Sequence, residues 1–137
     1  RELAGEGRAL IEEIEKRNVT IMQATPATWR SMMNFDWSGK SDLKTLCGGE
    51  ALPVDVAHYM LDKTAELWNM YGPTETTVWS TCHRVVNPDQ PELIGTPISN
   101  TILRIVGRKG CEQPVGVPGE LLIGGAGVTH GYLIETI

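Results

Sequence analysis

Apolar and polar positions alternate along the chain in two different rhythms. From Gly7 to Asn18 the period is helical: Leu10, Ile11 and Ile14 fall on one face and charged residues on the other. Asn18 ends that segment, and the β-branched run Val19-Thr20-Ile21-Met22 predicts a short strand. Thr25 followed by Pro26 is a helix start, with a capping hydroxyl and a proline suited to the first turn. A helix through Ala27–Met33 is expected, then a polar turn from Asp36 to Ser41. Leu43–Cys47 reads as a second strand ending at Gly48-Gly49-Glu50. Pro53 opens another helix, whose apolar face is Val56, Ala57, Met60 and Leu61. Ala65–Met70 reads as the third strand.

Strand, helix, strand, helix, strand is the signature of a parallel, doubly wound sheet. Successive strands then point the same way, so three loops share one sheet edge. They are Gln23-Ala24-Thr25, Gly48-Gly49-Glu50 and Tyr71 to Glu75. Ligands in open α/β sheets bind at that carboxyl edge. The third loop, Asn69-Met70-Tyr71-Gly72-Pro73-Thr74-Glu75-Thr76-Thr77, turns at Gly-Pro and then presents hydroxyls and a carboxylate. Such groups suit phosphate oxygens and a hard cation. On its own residues the loop is a polar turn or a nucleotide-handling loop; its place on the carboxyl edge favours a ligand site.

Beyond Glu75 the rhythm changes. Thr76–Val86 alternates, Pro88–Pro97 is a loop, and Thr101–Val106 and Glu120–Gly125 are strands joined by Gly/Pro turns. The fold class expected is therefore α/β: a parallel β-α-β subdomain over residues 1–87, then a short-stranded β region over 88–137, an incomplete barrel or sheet.

Composition narrows the classes. The chain has 137 residues, 41% hydrophobic and 21% charged, which reads as soluble and globular. A net charge of -5 argues against a nucleic-acid partner. No apolar run matches a membrane span. Cys47, Cys82 and Cys111 show no metal spacing and read as reduced thiols of a cytoplasmic protein. With no initiating Met, the stretch is expected to be internal to something longer. His58, His83 and His130 stand apart, without ligand partners. Gly125-Ala126-Gly127-Val128-Thr129-His130-Gly131 has the spacing of a dinucleotide fingerprint but lacks the flanking strand and helix, so it reads as a turn whose glycines allow close packing.

Three motifs in order carry a resemblance: Gly48-Gly49-Glu50-Ala51-Leu52-Pro53, then Asn69 to Thr77, then Gly119 through Tyr132. With Gln23-Ala24-Thr25-Pro26-Ala27-Thr28-Trp29 they cover nearly the whole chain. Together they resemble the adenylate-forming enzymes, and most closely the amino-acid adenylation domains of nonribosomal peptide synthetases. The resemblance implies ATP-dependent activation of an acid as its adenylate, then transfer to the phosphopantetheine thiol of a carrier domain, with condensation domains as further partners. It implies that Tyr71 stacks on adenine, Asn69 bonds the adenine edge and Thr74 bonds the α-phosphate. Glu75 would hold Mg²⁺, and the backbone of Gly49, Glu50 and Ala51 would form the opposite wall. Thr74 and Glu75 are thus the expected catalytic pair.

The same resemblance places the acyl pocket at Gln23, Leu46, Gly48, Met70, Val78 and Trp79. Such walls leave little free volume and imply a small amino acid, glycine first and alanine next. Several family features are missing: the triphosphate loop, the ribose-binding aspartate, and the C-terminal subdomain with its lysine. His130 stands where the family usually carries Arg, and Leu133–Ile137 leaves the family pattern. Phe35-Asp36-Trp37-Ser38 matches the motif whose Asp binds the substrate amino group, but it lies on the wrong side of the Gln23 strand and reads as a decoy. Amino, hydroxy and keto acids therefore stay open, and the stretch alone is expected to be inactive. The alternatives are an acyl- or aryl-CoA ligase fragment and a noncatalytic exchangeable pocket subdomain.

Overall fold

The computed structural model describes residues 2–132, with side chains from Gly7 onward. The departure expected at Leu133–Ile137 lies outside the described residues. Helix α1 (Glu2–Lys16) begins earlier than the charge pattern suggests and ends where Asn18 turns left-handed, with the Val19 N–H donating back to the Ile14 carbonyl. Strand β1 (Ile21–Ala24) starts two residues later than expected, so Gln23 and Ala24 lie in the strand and only Thr25 is left in the loop. Helix α2 (Pro26–Met32) has the predicted cap: Thr25 Oγ1 accepts from the Thr28 N–H at 3.4 Å.

Strand β2 (Lys40–Gly48) takes in Lys40 and Ser41, expected as turn. Helix α3 (Val54–Lys63) follows Pro53, and β3 (Thr64–Tyr71) follows at once. A 3₁₀ turn at Thr74–Thr76 leads to β4 (Thr81–Val85). Strands β5 (Thr96–Pro97), β6 (Thr101–Val106) and β7 (Glu120–Gly125) complete the described chain.

Two sheets result, in the order β1-β2-β3-β4-β5 and β6-β7. The β1-β2 and β2-β3 pairs are parallel; β3-β4, β4-β5 and β6-β7 are antiparallel. The first sheet extends past residue 87, because β5, inside the expected loop, pairs with β4. The doubly wound expectation needs correction. The parallel strands follow one another in a single direction, so right-handed crossovers place α2 and α3 on the same face. A doubly wound sheet reverses direction and is covered on both faces.

The core sits between that face and the helices. Leu43, Thr45 and Cys47 of β2 and Leu67 of β3 are fully buried against Trp29, Met32, Val56 and Met60. Each large apolar side chain buried this way contributes about 1.5–3 kcal/mol. Arg30 grips Asp55 through both carboxylate oxygens, at 2.7 and 2.9 Å, and ties α2 to α3. The alternate residues, Lys44, Leu46, Glu66 and Trp68, face the other way and are less buried.

Candidate functional site

The parallel strands end side by side at Ala24, Gly48 and Tyr71. Between the segments leaving β2 and β3 lies a cleft of about 330 Å³. Gly49, Glu50, Ala51 and Leu52 form one wall and Asn69, Met70, Tyr71 and Gly72 the other. Five of the six residues expected to hold the nucleotide therefore share one cavity; the sixth, Thr74, expected at the α-phosphate, lies beyond it on the 3₁₀ turn. The cleft volume falls in the range of small-ligand pockets.

Glu92 and Ile94 also line the cleft, and the sequence reading missed both. They come from a segment with no periodicity, read simply as loop. Asn69 explains their position. It is 5% exposed, and its Nδ2 donates to the carbonyls of Pro91 at 3.0 Å and Leu93 at 3.1 Å. Those bonds hold the loop across the end of β3 and leave only Oδ1 for a ligand. His58 reaches the same loop, at 2.8 Å from Asp89.

The loop from Tyr71 to Ser80 is closed by the Ser80 N–H donating to the Tyr71 carbonyl at 2.8 Å. Within it Thr76 turns inward: its hydroxyl bonds the Pro73 carbonyl at 3.1 Å and the buried Ser80 hydroxyl at 2.5 Å. Thr74 and Glu75 are exposed. Thr77 and Val78 then adopt left-handed backbones, with φ of 61° and 68°. For β-branched residues that conformation is rare and costs about 1–3 kcal/mol each.

The strain is offset by contacts from the glycine-rich turn after β7. Thr77 Oγ1 donates to the Gly127 carbonyl at 2.7 Å, and the Thr129 N–H donates to the Glu75 carbonyl at 2.8 Å. A Cβ on Gly127 would lie 2.8 Å from the Thr76 carbonyl oxygen, so the approach needs glycine. No helix follows that turn within the described residues, in keeping with its reading as a packing motif.

Glu75 has a further partner, Tyr132, whose hydroxyl donates to Oε1 at 2.8 Å. Its own backbone N–H, and then that hydroxyl, hold the Glu75 carboxyl below its usual range. Tyr132 was read only as the end of a motif; no local signal in the sequence pairs it with a residue so distant in the chain.

The expected acyl-pocket positions gather on the sheet face away from the helices. Gln23 pairs with Leu46 and Leu46 with Trp68; Gly48 pairs with Met70 in the next row. Over Gly48 lies the Trp79 indole. A Cβ there would be 2.4 Å from Trp79 Cη2, 2.5 Å from its Cζ3 and 2.5 Å from the Met70 carbonyl oxygen. Val78 adjoins Trp79 in sequence, but its side chain is 60% exposed. Trp68 completes the Gln23–Leu46 row and was not foreseen; its Nε1 donates to Glu66 at 2.8 Å. The Phe35–Ser38 stretch precedes β2 and so lies toward the opposite edge of the sheet, with Trp37 buried against α1 through a 3.2 Å bond to Glu15.

Comparison with known proteins points the same way. The family described as AMP-binding enzyme matches residues 3–133. The chain is 41% identical over 132 residues to the PKS-NRPS hybrid synthetase acdB of Aspergillus candidus, covering 93% of this chain and 5% of that protein. It is 37% identical over 138 residues to a dimodular nonribosomal peptide synthase of Bacillus subtilis, covering 96% and 6% respectively. Among solved structures it superposes with a TM-score of 0.85, at 41% identity, on the four-domain nonribosomal peptide synthetase AB3403 in its holo form with AMP and glycine. That match covers 96% of this chain and 10% of the other. The chain thus spans only a small part of the relatives it matches.

Proposed function

This chain belongs to the AMP-binding enzyme family, and from that premise we propose that it supplies the adenine cleft and acyl pocket of an ATP-dependent adenylation domain in a cytoplasmic nonribosomal peptide synthetase. The acid it activates is small, with glycine first. The observation that carries the reading is the adjacency of two features: the cleft between Gly49–Ala51 and Asn69–Tyr71, and the Trp79-covered face at Gly48. Met70 belongs to both. A nucleotide in the first would present its α-phosphate toward an acid in the second. The solved relative bound to AMP and glycine supports the pairing of ligands.

In the reaction, a carboxylate oxygen of the acid attacks the α-phosphorus, the bond to pyrophosphate breaks, and an acyl-adenylate remains. The thiol of a carrier domain's phosphopantetheine then displaces AMP and takes the acyl group as a thioester. Tyr71 holds the purine by stacking. Asn69 Oδ1 is free to accept from the adenine amino group, while its Nδ2 fixes the wall formed by the loop at Pro91 and Leu93. The exposed Thr74 hydroxyl would donate to the α-phosphate.

Mg²⁺ suits Glu75. The side chain is exposed, its carboxyl is held below its usual range by its own backbone N–H and then the Tyr132 hydroxyl, and it is a hard oxygen donor of the kind the ion prefers. When bound, Mg²⁺ supplies charge neutralisation at the phosphates. Among the described residues no cluster of three or more His, Cys, Asp or Glu forms a cage. One carboxylate plus substrate phosphates is a common way to hold this ion. Glycine specificity follows from bulk: the indole occupies space over Gly48 that a larger acid would need. Amino-acid-dependent ATP–pyrophosphate exchange by the full protein carrying this chain tests the reading. Exchange led by glycine supports it, and exchange led by a bulky acid overturns it.

A further inference from the structure

The end of β3 accounts for Tyr71, but not for what fixes Glu75. It lies on a short 3₁₀ turn, is exposed, and is followed by two strained residues. The carboxyl faces its own backbone N–H, but an exposed glutamate still has several rotamers open to it, and only some point a free oxygen at a phosphate-bound cation. Three contacts from a distant segment converge on this turn. Gly127 receives the Thr77 hydroxyl, Thr129 donates to the Glu75 carbonyl, and Tyr132 donates to Glu75 Oε1.

We propose that Tyr132 is a positioning residue for the cation site: its hydroxyl holds Glu75 Oε1, fixes the carboxylate rotamer and leaves Oε2 free for Mg²⁺. This rests on the reading of Glu75 as the cation ligand and deepens it. The geometry fits the role. A phenol has one proton to donate, so it can satisfy one carboxylate oxygen and no more. The bond is charge-assisted. Its length of 2.8 Å is ordinary for a hydroxyl donor. The backbone bond from Thr129 fixes the main chain of the same residue, so side chain and backbone of Glu75 are held by one segment, residues 129–132. That segment follows β7, and the antiparallel β6-β7 sheet thereby acts as the frame against which the metal-binding turn is set. The same segment approaches closely at Gly127, where a Cβ would lie 2.8 Å from the Thr76 carbonyl oxygen.

The test uses the full protein carrying this chain, with three variants: Tyr132→Phe, Glu75→Gln and both together. ATP binding is titrated by calorimetry at increasing MgCl₂, and AMP binding is measured separately in EDTA. Tyr132→Phe keeps the ring and removes one donor. It is expected to raise the Mg²⁺ concentration for half-maximal ATP binding about five- to tenfold, the net size of one hydrogen bond that solvent can partly replace. AMP binding in EDTA and the unfolding midpoint should stay at wild-type values. Adding Tyr132→Phe to Glu75→Gln should change nothing further. If Glu75→Gln shifts the Mg²⁺ dependence and Tyr132→Phe does not, the positioning role fails while the cation reading stands. If Glu75→Gln leaves the Mg²⁺ dependence unchanged, the cation reading fails and takes this role with it. Tighter Mg²⁺ dependence in Tyr132→Phe would mean that the hydroxyl masks the carboxylate. Loss of AMP binding in EDTA would show a general structural effect. Either result overturns the proposal.

Discussion

Replacing Gly48 by Ala adds one methyl group at the most crowded point of the site. The added carbon would lie 2.4 Å from Trp79 Cη2, 2.5 Å from Cζ3 and 2.5 Å from the Met70 carbonyl oxygen. Ordinary contact begins near 3.4 Å, so the indole must retreat by about 1 Å. The backbone oxygen belongs to the paired strand and cannot retreat without opening the β2-β3 ladder. Overpacking of this kind costs about 1–3 kcal/mol, and the double obstruction places Gly48→Ala toward the upper end. Trp79→Ala removes the movable part of the obstruction and leaves the fixed part. The double variant should therefore be more stable than the sum of the single effects predicts, by about 1 kcal/mol, the coupling expected for residues in contact. Urea denaturation of the four proteins, followed by circular dichroism, measures this. Gly48→Ala within about 0.5 kcal/mol of wild type would refute the placement of Trp79 over Gly48, as would strict additivity with Trp79→Ala.

Two further outcomes follow from buried groups. Asn69→Ala strips the Pro91 and Leu93 carbonyls of their donor and should destabilise the protein by about 1–3 kcal/mol while loosening the loop that carries Glu92 and Ile94, which urea denaturation and amide exchange over residues 88–95 would record. Burial, and secondarily the charge of Glu50, pushes the Cys47 thiol up from 9.0 to about 12. The fold therefore favours the neutral thiol, and unfolding releases a proton once pH exceeds 9. Stability contributed by this group is intact below about pH 9 and declines as pH rises toward 12. A Cys47→Ala variant should show a shallower alkaline loss in thermal melts, and an identical slope would contradict the assignment.

The order of elements was legible because helix and strand periods differ and because Thr25-Pro26 and Pro53 mark helix starts. The edge bearing the ligand loops followed from the parallel order alone. What the sequence hid depends on contacts distant in the chain. The β1 boundary moved because Gln23 and Ala24 pair with Leu46 and Cys47, and ladder partners outweigh local propensity. The placement of α2 and α3 on one face could not be foreseen, since strand order within a sheet is not written in periodicity. Glu92 and Ile94 enter the cleft only because Asn69 holds their loop. Tyr132 meets Glu75 across 57 positions of chain, a distance no local pattern bridges. The expected adenine residues, by contrast, were clustered near strand ends, so their shared cleft could be anticipated from the local pattern.

The account turns on a small-acid pocket beside an adenine cleft, and amino-acid-dependent ATP–pyrophosphate exchange reads both at once. The full protein carrying this chain, assayed with each amino acid in turn, should exchange fastest with glycine and next with alanine, and Tyr71→Ala should weaken ATP use by the value of one base stack, about 1–3 kcal/mol. Exchange that peaks with a large side chain, or that ignores the loss of the Tyr71 ring, would contradict it.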